Sequence, residues 1–90
     1  MHEIGLTTRV LDSVTQVAEE QDALKVNKIN LKIGTMSGVV IPALEYAFEE
    51  LKNLDEYELC KDAELGIQEL SAPEDRRKFE IDSIEVDLPD

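Results

Sequence analysis

One stretch of the chain combines residue types and spacing that could do metal chemistry. In Met1-His2-Glu3 the sole histidine, His2, stands beside the amino terminus. The Met1 amine, the His2 amide nitrogen and the His2 imidazole can close two fused chelate rings on one ion. Nitrogen donors in one plane suit the square-planar cations Ni(II) and Cu(II) better than zinc, which prefers a tetrahedron. Initiator methionine is normally removed only before a small second residue, so Met1 is expected to be retained ahead of His2. Elsewhere the sequence holds no second histidine, no nucleophile beside a base and no glycine-rich phosphate loop, so no enzyme is expected. Cys60, the single cysteine, excludes an internal disulfide framework and any multi-cysteine zinc site within one chain. It reads as a small, semi-buried hydrophobe.

Ninety residues make one domain, and the 42% apolar and 33% charged content is globular, not disordered. Twenty-one acidic residues against nine basic ones leave a net charge of -12. Such a surface repels nucleic acid and anionic membranes and favours a cation or a basic partner. The chain has no apolar run of membrane-spanning length and no secretory signal, so the cytoplasm is the expected compartment.

The elements that must position the arm follow from periodicity. From Ile4 to Leu24, Val10, Leu11, Val14, Val17 and Ala18 recur at helical spacing, with Gly5 or Thr7-Thr8 as the nearest caps. This helix begins directly behind His2, so the arm is tethered to a rigid element. Ile29, Leu31 and Ile33 alternate with Asn30 and Lys32 as a strand ending at Gly34, followed by a loop through Gly38. Leu44, Ala47, Phe48 and Leu51 mark a second amphipathic helix with Pro42 in its first turn. Residues 53–62 form an acidic connection with room for an extra helical turn. Ala63, Leu65 and Ile67 predict a second strand. Phe79 and Ile81 open a third, which Ile84, Val86 and Leu88 continue on the opposite parity, implying a β-bulge near Ser83. Between these strands, 71–78 is a polar loop carrying the basic run Arg76-Arg77-Lys78.

The predicted fold is therefore α/β (α+β) in the order α-β-α-β-β, with two helices packed on one face of a three-stranded mixed sheet. The first two strands are expected parallel and the third antiparallel. The expected core is Ile29, Leu31, Ile33, Leu44, Phe48, Leu65, Ile67 and Ile81.

Taken together, Met1-His2-Glu3-Ile4, the run Ile29 to Gly38, Val39-Val40, Ala43 to Glu49, Ala63 to Ile67 and Ser83 to Val86 resemble the HypA/HybF family of nickel metallochaperones. The resemblance runs over nearly the whole chain. It implies a cytoplasmic protein that binds Ni(II) through Met1, His2 and Glu3 and delivers it for [NiFe]-hydrogenase maturation, with urease as a further destination. It also implies a HypB-like GTPase and the hydrogenase large-subunit precursor as partners; homodimerisation is left open. Family members carry two Cys-x-x-Cys pairs in an insertion between the last two strands. Here 71–78 contains no cysteine, so the zinc subdomain is expected to be absent, with no structural zinc, and 1–90 to form a single nickel-binding domain. A zinc-less relative acting as a protein-interaction module without metal transfer is the alternative.

Overall fold

The computed structural model describes residues 2–90, with His2 through its backbone alone. Helix α1 spans His2–Glu20, strand β1 Lys25–Gly34, helix α2 Ile41–Leu51, a 3-10 segment Asp55–Cys60, strand β2 Glu64–Leu70 and strand β3 Phe79–Asp87. The chain folds as a mixed α+β protein in the expected element order.

Helix α1 buries Thr7, Val10, Leu11, Val14 and Ala18, a stripe at helical spacing. Neither Gly5 nor the threonine pair caps it. The helix starts at His2, and the Thr7 and Thr8 hydroxyls instead donate to the Glu3 and Ile4 carbonyls at 2.5 and 2.9 Å. Its other end falls short of Leu24. Asp22 takes the left-handed conformation (φ 55°), its N–H reaches the Glu19 carbonyl, and the Ala23 N–H reaches that of Ala18. That paired reversal is a Schellman cap with aspartate where glycine is usual. Leu24, expected within the helix, is consequently outside it and exposed; Val17, expected on the packed face, is exposed on α1 itself.

β1 is the central strand, parallel to β2 and antiparallel to β3. Ile29, Leu31 and Ile33 point into the core with Leu44 and Phe48 of α2 and the α1 stripe, while Lys28, Asn30 and Lys32 lie on the other face. Val26 is also buried, although three residues from Ile29 it should face the other way. A register irregularity between Val26 and Lys28 restores it to the core side. The bulge expected near Ser83 is present: Asn30 pairs with Ser83 but Leu31 with Ile81, leaving Asp82 as the extra residue. Because β2 and β3 are edge strands, their apolar residues are only partly covered. Leu65 and Ile67 are half-buried, and Ile81, expected in the core, is 36% exposed.

The acidic connection holds more than a turn. Its 3-10 segment buries Tyr57 and Cys60 against α1, where the Tyr57 hydroxyl donates to Asp12 Oδ1 at 2.6 Å.

Candidate metal arm at the start of the first helix

Two members of the expected chelating triplet, His2 and Glu3, fall at the amino end of α1. Met1 lies outside the described residues. His2 is the first helical residue, and Glu3 sits in the first turn. Glu3 Oε2 accepts the Val40 N–H at 3.0 Å. Val40 is the N-cap position of α2, and its own side chain supplies no capping acceptor. Glu3 therefore does in trans what the N3 glutamate of a capping box does, accepting the N-cap N–H and placing a carboxylate at the positive end of the α2 dipole. That N–H is the main reason the Glu3 carboxyl is held below its ordinary range. The contact ties the helix carrying His2 to a second element of the scaffold.

α2 can begin where it does because of the loop before it. Gly38 adopts a positive φ of 86°, which strains any residue with a side chain. The Val39 N–H donates to Ser37 Oγ at 3.3 Å. Pro42 then occupies the first turn, where a missing N–H costs little. The β2–β3 connection closes over the same loop. The Gly34 N–H reaches the Lys78 carbonyl and the Met36 N–H that of Arg76, both at 2.7 Å. A Cβ at Gly34 would collide with the Arg76 carbonyl. The run 71–78 is thus a short turn docked on β1, held further by the Lys78–Asp75 ion pair at 2.9 Å, with Arg76 and Arg77 exposed.

Cys60 does not join the arm. It is fully buried, with its sulfur 3.8 Å from Thr15 Oγ1, and burial pushes its thiol up, away from the thiolate form a metal needs. Thr15 stands twelve positions beyond Glu3 on α1, about 18 Å along the axis. Among the described residues, no three or more His, Cys, Asp or Glu side chains gather as a metal cluster. Sequence reasoning missed Val40, the partner that orients Glu3. No local pattern could reveal a backbone donor 37 positions away.

The fold is a small α+β domain whose single histidine is the first residue of its first helix. Residues 1–75 match the family described as "Hydrogenase/urease nickel incorporation, metallochaperone, hypA", and the chain belongs to that family. It is 39% identical over 70 residues to hydrogenase maturation factor HypA of Methanococcus maripaludis C7, which covers 72% of this chain and 53% of the relative. Against the protein of that name from Shewanella sp. MR-7 it is 40% identical over 65 residues, 72% of this chain and 52% of the relative. The chain thus spans about half the length of these curated relatives. The solution structure of the Ni metallochaperone HypA from Helicobacter pylori superposes with a TM-score of 0.81, over 97% of this chain and 98% of that one. At 17% identity that likeness speaks to the fold alone.

Proposed function

We propose that this chain is a nickel carrier that binds Ni(II) at Met1, His2 and Glu3 and hands it on for [NiFe]-hydrogenase or urease maturation. The observation that carries this reading is the place of His2 as the first residue of α1. The first N–H groups of a helix have no intrahelical acceptor, so a metal can replace the His2 amide proton without breaking a helical hydrogen bond. The Met1 amine and the His2 imidazole complete the planar nitrogen set. Glu3 has its carboxylate at Val40, which favours a positioning role for that side chain; its contribution to the metal is through the backbone. A chelate at the tip of a helix leaves one side of the ion open to an acceptor, which a carrier needs and a structural metal site does not.

On this reading residues 1–90 are a single nickel-binding domain without the zinc subdomain. It works in the cytoplasm, without catalysis of its own, beside a HypB-like GTPase and the hydrogenase large-subunit precursor. The short docked turn at 71–78 is the observation that favours the second reading, a protein-interaction module that no longer moves metal. Calorimetric titration with Ni(II) separates the two. Binding that disappears in His2→Ala and persists in Glu3→Gln, which keeps an acceptor for Val40, supports the carrier; no binding tighter than about 0.1 mM, roughly 5.5 kcal/mol, supports the module.

A further inference from the structure

Beside Glu3, the first turn of α1 and one flank of α2 enclose a surface groove of about 440 Å³, lined chiefly by Ile4, Ala43, Tyr46 and Leu51. Ala43, Tyr46 and Glu50 follow one another at i, i+3 and i+7, a single stripe of α2. Two large side chains on this groove are left in water: Ile4 is 59% and Tyr46 70% exposed. Adjoining exposed apolar side chains with polar groups around them are the usual mark of an interaction surface. Among the described residues, the acidic side chains lining the groove are Glu3 and Glu50, and no lysine or arginine lines it.

That charge selects the occupant. A second copy would bring two acidic rims and two chains of net charge -12 together, which disfavours self-association. We propose that the groove docks a basic amphipathic helix of a partner protein, with apolar side chains between α1 and α2 and lysine or arginine facing Glu50. A helix laid in a groove reads its host through apolar anchors at successive turns, and Tyr is among the residues that most often dominate such contacts. The proposal deepens the nickel-carrier reading, because a partner seated here lies beside the helix end that bears His2.

The test does not depend on nickel. The ¹⁵N-labelled chain is titrated with a synthetic Leu/Lys amphipathic peptide of about 18 residues, long enough to hold a helix, and with its Leu/Glu counterpart. The Leu/Lys peptide should shift the amides of Ile4, Ala43, Tyr46 and Leu51, and the Leu/Glu peptide should not bind. Tyr46→Ala should weaken binding about tenfold, as expected for an interface Tyr. Val17→Ala, at an exposed apolar position elsewhere on α1, should change it less than about twofold. Equal binding by Tyr46→Ala and wild type, shifts spread over the acidic residues of β3, or tight binding of the Leu/Glu peptide would overturn the proposal. So would self-association abolished by Tyr46→Ala. Nickel affinity measured on Tyr46→Ala should equal that of wild type, so a failed groove and a failed metal arm give different results.

Discussion

Replacing Tyr57 with Phe deletes one hydroxyl and leaves the ring that packs the 3-10 segment against α1. Tyr57 is 3% exposed, and its hydroxyl donates to Asp12 Oδ1 at 2.6 Å. Hydrogen bonds to charged groups contribute about 1.5–3 kcal/mol. Asp12 is itself exposed, so its carboxylate recovers water when the donor goes. The loss should therefore fall near the lower limit, about 1.5 kcal/mol. In a chain of this size that lowers Tm by about 6–12 °C. The bond has a pH signature as well. The Asp12 contact, reinforced by burial, pushes the Tyr57 hydroxyl up to about 12 from 10.0. A raised folded-state value means that the stabilisation is fully present below the unfolded value and is lost as pH rises through the folded one. Melting curves of wild type and Tyr57→Phe, followed by circular dichroism, should differ by the same margin from about pH 7 to 9 and converge from about pH 10 towards 12. Equal Tm values near neutrality, or a gap that widens above pH 10, would refute this account of how the segment is held.

Phe48→Ala empties a side chain that is 1% exposed at the centre of the core, with Lys52 Nζ 5.2 Å from its ring. It should cost about 3–5 kcal/mol, much of the stability of so small a domain, and a variant that melts like the parent would disprove the core assignment. Gly34→Ala should lower Tm by several degrees at least, because the β2–β3 turn must move off β1; hydrogen exchange should quicken at Met36 and at the substituted position, and unchanged exchange would contradict the docking. Elemental analysis should find no stoichiometric zinc, since one Cys and one His fall short of the usual four donors; one tightly held zinc per chain would point to an interchain or carboxylate site.

The parts of the fold that obey a local period were legible in the residues. Ile29, Leu31 and Ile33 announced a half-buried strand, the parity change between Ile81 and Ile84 announced the bulge at Asp82, and Pro42 marked the start of α2. What escaped was set by tertiary context or by an uncommon local choice. Asp22 ends α1 in a left-handed conformation that sequence pattern assigns to glycine, and this put Leu24 wrongly in the helix. Ile81 was expected to be buried on parity alone, but strand order places it on an edge. Tyr57 sits in an acidic stretch with no period, so its burial was not readable. At the site, the helix behind His2 was foreseen, and its docking through Glu3 and Val40 was not, because a carboxylate meeting a distant backbone N–H leaves no trace in spacing.

The central claim, nickel held by the amino-terminal arm, is tested most directly by titrating Ni(II) into the untagged chain, into His2→Ala and into the chain with a tag fused ahead of Met1. The Met1 amine and the His2 imidazole must both be deprotonated to ligate, so wild-type affinity should fall steeply as pH drops through about 6–7. At about pH 7.5, above the ordinary imidazole value, the untagged chain should bind one nickel, and both altered proteins should lose most of that affinity. Equal affinity in all three would put the metal among the surface carboxylates and contradict the account.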